Sequence, residues 1–409
     1  MARRAPRRTT GAVLLAGVLM LLVTACGGGA SQQGASSTTP TDTETTPDTS
    51  NPHPVAGNFK PDGTTLEDCE QDGGAPSQSC LEQAYGNLAF NEGGKVAMAA
   101  IAADMAARPT VEAGCHRIVH AIGSGSLARN KGNVGRAFTQ GDSTCWSGYY
   151  HGILERALKG ATSDVLLQAA VRDLCQEVLA NDTTFIAYQC VHGLGHGLMI
   201  RTGLDLRSSL SFCEKLATSW EQTSCDGGVF MENYNTSYGI KSTFLKDDDP
   251  IYPCNAIAER HKLYCYLQVT DRILELNGYD FAKAAVTCAG TESDWTATCF
   301  QSLGRSASGT ARLDRDKLHG YCNTVESKRW RAECIYGAVR DIASNDAAAA
   351  RALDYCGSVE TDAKPRCYYG AGTIVAGFDR DRSALAKACG SVPDAYRTYC
   401  LQEATGELG

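Results

Sequence analysis

Five of the eight histidines in this chain fall between positions 116 and 196, and most of them stand in pairs at helical spacing. Residues four apart lie on one face of an α-helix, with Cβ atoms about 5 to 6 Å apart. Imidazole nitrogens and carboxylate oxygens at this separation can bind the same metal ion. The sequence therefore predicts a metal site. Its expected ligands are three such pairs, His116 with His120, His151 with Glu155, and His192 with His196.

The residue types restrict the metal without fixing it. Nitrogen ligands with a carboxylate suit copper, iron or zinc, and six ligands exceed what one tetrahedral zinc ion takes, so two ions are an option. Neither Cys-x-x-Cys-His, which attaches haem, nor the His-Glu-x-x-His of zinc proteases occurs in the sequence. The site would serve metal handling or metal-dependent redox chemistry.

Eighteen of the nineteen cysteines indicate which elements position these histidines, because they define an internal repeat. The second cysteines of the last four pairs recur every 33 to 35 residues, which is the length of a helical hairpin. In each pair the first cysteine ends one helix and the second begins the next, so that a disulfide would staple the hairpin. The pairs 11 residues apart are Cys69 with Cys80, Cys254 with Cys265, Cys288 with Cys299, Cys356 with Cys367, and Cys389 with Cys400. The pairs 12 residues apart are Cys213 with Cys225 and Cys322 with Cys334. Cys175 and Cys190 have a slightly longer gap.

Two cysteines depart from this spacing. Cys115 and Cys145 stand where the second cysteine of a repeat is expected, but neither has a partner about eleven residues earlier. They either pair with each other or remain thiols beside the histidines. The disulfide is favoured, because free thiols are a liability in an exported protein.

The fold expected from this pattern is an all-α solenoid of about ten disulfide-stapled hairpins with a period of about 34 residues. By repeat length and shape it resembles the Sel1-like and tetratricopeptide solenoids, although their sequence signatures do not line up with it. Equivalent helices of neighbouring repeats lie side by side in a solenoid, which would bring the three ligand pairs to one level. Close backbone contact between these helices is expected at a glycine that follows the second cysteine by three residues in five repeats, Gly148, Gly193, Gly228, Gly337 and Gly370.

The start of the chain predicts export. Four arginines precede an apolar run, Gly11 to Val23, that is short for a membrane span. The run ends in Val23-Thr24-Ala25-Cys26, which resembles the lipobox of bacterial lipoproteins. The resemblance implies that residues 1–25 are a lipoprotein signal peptide. It also implies that Cys26 is acylated and anchors the protein to the outer face of the cell membrane.

Composition divides the remainder of the chain. Residues 26–65 are rich in Gly, Ser, Thr and Pro and predict a disordered tether. Residues 66–240 would form the histidine-rich repeats, and residues 241–409 regular repeats in which His261 and His319 are structural or exposed. The formal charge of -8 does not favour nucleic acid as a partner. The alternative function is an adaptor solenoid that binds another envelope protein, with the histidines purely structural.

Overall fold

The computed structural model describes residues 55–70, 76–235, 241–312, 314–345 and 349–402, and no β-strand occurs among them. These residues form 21 α-helices and two short 3₁₀ helices. The α-helices are α1 (Val55–Asn58), α2 (Leu66–Glu70), α3 (Gln78–Glu92), α4 (Gly94–Ala107), α5 (Pro109–Arg129), α6 (Val134–Phe138), α7 (Gly148–Lys159), α8 (Asp164–Asp173), α9 (Gln176–Asn181), α10 (Thr184–Arg201), α11 (Leu206–Cys213), α12 (Ser219–Tyr234), α13 (Lys262–Asn277), α14 (Phe281–Ala289), α15 (Thr296–Ala311), α16 (Arg315–Asn323), α17 (Lys328–Ser344), α18 (Ala350–Ser358), α19 (Lys364–Val375), α20 (Ser383–Gly390) and α21 (Asp394–Leu401). The 3₁₀ helices are Cys254–Ala256 and Glu259–His261.

The helices form a solenoid of stacked hairpins, which confirms the predicted fold class. Ten helices carry the second cysteine of a repeat or begin just after it, and each packs against the next one along the chain. We call them the second helices. They are α3, α5, α7, α10, α12, α13, α15, α17, α19 and α21.

Nine disulfides staple this array, with Cα atoms 5.4 to 5.8 Å apart. Eight of them close a hairpin between its two helices, as the spacing predicts, and each contributes on the order of 3 kcal/mol in the chain-entropy model. The ninth joins Cys115 to Cys145. It links α5 to the residues just before α7, and therefore ties two second helices together.

Some second helices are packed closely enough to require glycine. A Cβ built on Gly228 or Gly337 would lie 1.9 Å from a backbone oxygen of the preceding second helix, which confirms the expectation there. The expectation is wrong at Gly193, where a Cβ would meet only ordinary contacts of 3.4 Å or more. Gly152, which the pattern did not include, is as tight, because its Cβ would lie 1.9 Å from the His120 carbonyl oxygen. At the remaining two positions, Gly148 and Gly370, the nearest atom belongs to a side chain.

The folded part begins earlier than the composition suggested. Residues 55–65 were expected to belong to the tether, but α1 and Phe59 belong to the packed structure. Phe59 is only 2% exposed, and its carbonyl oxygen accepts a hydrogen bond from Arg156 Nη1 at 2.7 Å. The side chain of Asn87 also donates to Asp62 and to the Thr64 carbonyl oxygen, so both apolar and polar contacts hold this segment. The signal peptide, Cys26 and the tether up to residue 54 lie outside the described residues.

The row of second helices curves until distant repeats touch. The backbone N–H of Phe185, in α10, donates to the Gly377 carbonyl oxygen just after α19 at 2.9 Å. The rings of Phe185 and Phe378 lie 4.6 Å apart, and Arg380 donates to the carbonyl oxygen of Asp182. This contact closes one side of an inner cavity of about 230 Å³ between the second helices. Within the described ranges, no helix has both the length and the apolar character that a membrane span requires.

Candidate metal centre

Three consecutive second helices bring the five histidines together. Helix α5 carries His116 and His120, α7 carries His151, and α10 carries His192 and His196. Helix α7 packs between α5 and α10, so that His151 lies between the two pairs. Four of the imidazoles are 1 to 3% exposed, and only His116 is half-buried.

His116 and His120 form what we call the first half-site. His120 Nδ1 lies 2.7 Å from Glu155 Oε1, and His116 Nδ1 lies 2.8 Å from the Cys145 carbonyl oxygen. Because a carboxylate and a carbonyl only accept hydrogen bonds, each Nδ1 carries the ring proton. The two Nε2 atoms are then unprotonated, and they face each other at 3.1 Å.

His192 and His196 form the second half-site, which repeats this arrangement. His196 Nδ1 lies 2.8 Å from Glu232 Oε2, and the Nε2 atoms of the two histidines lie 3.3 Å apart. His192 is hydrogen bonded to the backbone of Ser224, and its Nδ1 lies 3.2 Å from the Tyr188 hydroxyl. Each half-site therefore pairs two imidazoles on one helix with a buried carboxylate from the next second helix.

His151 completes a triad with either pair. Its ring centroid lies 5.5 and 5.4 Å from those of His116 and His120, and 5.4 and 4.1 Å from those of His192 and His196. In each triad, one ligand atom per histidine lies within 4.8 Å of the other two. Among the described residues, neither ring nitrogen of His151 finds a hydrogen-bond partner. These buried triads could hold a metal ion.

The environment keeps the imidazoles in the form that binds metals. Burial, the largest cause, and repulsion from other imidazoles of the cluster together lower the pKa of His116 and of His120 to about 3. Burial, followed by repulsion from other imidazoles, also lowers the pKa of His151 and of His192 well below the usual value. These rings are therefore neutral at physiological pH, with a lone pair available to a cation.

Glu155 differs from the other predicted ligands. It lies in the cluster, 3% exposed, but its carboxylate is hydrogen bonded to His120 Nδ1 and orients that ring from behind. The equivalent carboxylate, Glu232, was not predicted, although it is completely buried against His196. The spacing of the sequence could have identified Glu232 as the equivalent of Glu155. Glu232 follows His196 by 36 residues and Glu155 follows His120 by 35, which in both cases is one repeat.

The inner cavity reaches this cluster. His151 and His192 line it, together with Tyr188, Trp220 and Met231. Its wall also includes residues of α13, α15, α17 and α19, so a molecule inside the solenoid would lie against the histidines.

The wall beside His116 is backbone in an unusual conformation. Cys145, Trp146 and Ser147 have φ values of 54°, 54° and 59°, which non-glycine residues rarely adopt in succession. This turn directs the Cys145 carbonyl oxygen to His116, and it places Trp146 at the cavity, where it is 50% exposed. The strained turn is thus in contact with both the cluster and the cavity.

The two isolated histidines lie outside the cluster, as expected. His261 is buried, with Nδ1 2.7 Å from Asp226 Oδ2 and Nε2 3.1 Å from Glu214 Oε1. His319 Nε2 lies 2.9 Å from the Ser358 hydroxyl. Both contacts are structural.

No family model matches this chain, and neither does a curated protein or a solved structure. The resemblance to Sel1-like and tetratricopeptide solenoids therefore concerns only repeat length and shape. The histidine cluster and the two carboxylates behind it are the features that bear on function.

Proposed function

We propose that this chain is an exported, lipid-anchored protein whose histidine cluster binds transition-metal ions and uses them in redox chemistry on a small molecule. The observation that carries the proposal is the pair of facing Nε2 atoms in each half-site, at 3.1 and 3.3 Å. Two unprotonated nitrogens at such distances repel each other unless a cation lies between them. A proton does not fill this position in the first half-site, because the pKa of both rings is near 3.

A metal ion fits these distances. Metal–nitrogen bonds of about 2.0 to 2.1 Å and the observed Nε2 separations give N–metal–N angles of about 95 to 110°. Such angles are usual for tetrahedral and related coordination. The carboxylates of Glu155 and Glu232 act in the way known from many metal sites, where a carboxylate accepts the Nδ1 proton and makes the ligating Nε2 more basic.

Burial of the carboxylates supports the same conclusion. Glu155 is 3% exposed and Glu232 is completely buried. Charged groups are found at such depth when a compensating charge is near. A bound cation would place such a charge near both carboxylates.

The inner cavity favours redox chemistry over simple storage. Because His151 and His192 line it, an ion bound to them would be reachable by a small molecule. Imidazole ligands suit copper, iron and zinc, and copper has the highest affinity in the usual order. Met231 lines the same cavity, and its thioether would favour copper further.

The proposed location follows from the resemblance of residues 23–26 to a lipobox. Nine disulfides support an extracytoplasmic compartment, because disulfides persist there. Acylated Cys26 and the tether would hold the solenoid close to the membrane surface, where an envelope protein could be its partner. Mass spectrometry of the N-terminal peptide from the native host tests the anchor. An unmodified Cys26, or cleavage at another site, would refute it.

Elemental analysis of the exported, oxidised protein tests the metal site. The comparison is with a variant in which His120, His151 and His196 are changed to alanine, and with His319→Ala as the matched control. Circular dichroism checks that all three are folded. We expect stoichiometric metal in the wild type and the control, and none in the triple variant. No metal in any protein after incubation with copper, iron and zinc would leave the adaptor solenoid as the better account.

A further inference from the structure

His151 is the only member common to the two triads among the described residues. The half-sites lie on opposite sides of α7, which carries it. Its two nitrogens are buried and have no hydrogen-bond partner among the described residues, in contrast to the Nδ1 atoms of His116, His120, His192 and His196. A buried imidazole normally uses at least one nitrogen in a hydrogen bond. Both nitrogens of this ring are therefore available as ligands.

We propose that His151 is the shared ligand of two metal ions, with one ring nitrogen bound to each. The first ion is completed by His116 and His120, and the second by His192 and His196. This inference rests on the proposed metal binding and adds the number of ions and the bridge. Binding at both nitrogens removes the ring N–H, and its proton passes to the solvent. The two ions are then about 6 Å apart, which is the ring plus two metal–nitrogen bonds of about 2.0 Å.

The charges of the site match two ions. Each half-site has its own buried carboxylate, Glu155 behind His120 and Glu232 behind His196. Two ions give each carboxylate a cation across the ring that it orients.

The distances also oppose a single ion bound by all five histidines. Ligand atoms of the cluster come within 4.8 Å of one another in two sets of three, and no larger set among the described residues meets this condition. The pairs are separated by one helix of the solenoid, and the repeat that duplicates the half-sites keeps them apart. Two ions with three nitrogens each use all five imidazoles, with the His151 ring, now stacked on His196 at 4.1 Å between centroids, turning to direct a nitrogen to the second ion.

Copper is the probe that distinguishes a bridge from two separate sites. The full-length, oxidised protein is freed of metal and titrated with Cu(II), and bound copper is compared with the intensity of its electron paramagnetic resonance signal. An imidazolate bridge couples the two spins antiferromagnetically. We expect two copper ions per chain, with most of the signal lost at low temperature.

The variant His151→Phe keeps a ring at this position but removes both nitrogens. We expect weaker copper binding and a full, uncoupled signal from whatever copper remains, while His319→Phe behaves as the wild type. One copper ion per chain in the wild type, or two that give full signal intensity, would overturn the bridge while leaving metal binding intact. A wild type that binds no copper, iron or zinc would overturn the bridge together with the proposed function.

Discussion

Replacing Glu155 with glutamine separates the charge of this residue from its shape. The amide oxygen of glutamine can still accept the proton of His120 Nδ1, which now lies 2.7 Å from Oε1, so the ring keeps its orientation. The negative charge behind the ring is lost. Removing a carboxylate that supports a ligating histidine typically weakens metal binding by about 10- to 100-fold, or about 1.4 to 2.8 kcal/mol. We expect this loss for Glu155→Gln, and an equal one for Glu232→Gln.

Without metal, the same substitutions should act in the opposite direction. Burial of a carboxylate carries a desolvation cost that a neutral amide of the same shape largely avoids. The metal-free variants should therefore unfold at the same temperature as the metal-free wild type, or at a higher one. Thermal unfolding and competition with a chelator measure the two quantities. The control is Glu360→Gln, whose ion pair with Arg331 is far from the cluster.

A purely structural glutamate would behave differently. If Glu155→Gln and Glu232→Gln lowered the unfolding temperature of the metal-free protein and left the metal affinity unchanged, the carboxylates would not be supporting metal ligands.

Two further predictions concern the packing around the site and a distant ion pair. Gly152→Ala places a Cβ 1.9 Å from the His120 carbonyl oxygen, so α5 and α7 must separate. We expect the free energy of unfolding in urea to fall by about 1 to 3 kcal/mol and metal binding to weaken. Gly160→Ala, where the nearest atom to the new Cβ lies at 3.6 Å, should change neither quantity. The pKa of His261 is raised above 6.5, because the hydrogen bonds and charges of Asp226 and Glu214 outweigh its burial. The protonated His261 therefore stabilises the fold fully below about pH 6.5, and this stabilisation is lost as the pH rises through the raised pKa. The free energy of unfolding lost in His261→Gln should be larger near pH 6 than near pH 9. An equal loss at both pH values would contradict this.

The cysteine and histidine spacing predicted much of this structure, because both patterns are local. A disulfide across a short turn and a ligand pair on one helix face depend on neighbours in sequence, and each was repeated often enough to be recognised. Glu232 was missed because its contact with His196 crosses between repeats, and the sequence shows a distance of 36 residues but not which helix faces meet. The contact of Phe185 with Gly377 was beyond prediction for a related reason. It depends on the curvature summed over the five packing contacts that join α10 to α19, and no single repeat encodes that curvature.

Several disulfides lie beside the histidine cluster and fix the positions of its rings. His116 directly follows Cys115, and the carbonyl that orients its ring belongs to Cys145, the partner in the same disulfide. In the second half-site, His192 stands two residues after Cys190, and its backbone partner Ser224 precedes Cys225.

These disulfides oppose the separation of the helices that carry the histidine cluster. Burying five imidazoles and two carboxylates carries a desolvation cost, which favours separation of their helices. Each staple limits that separation by tying a histidine-bearing helix, or the acceptor that orients a histidine, to a neighbouring element. In the proposed metal centre, ligands held in place by covalent bonds would need little rearrangement when an ion arrives.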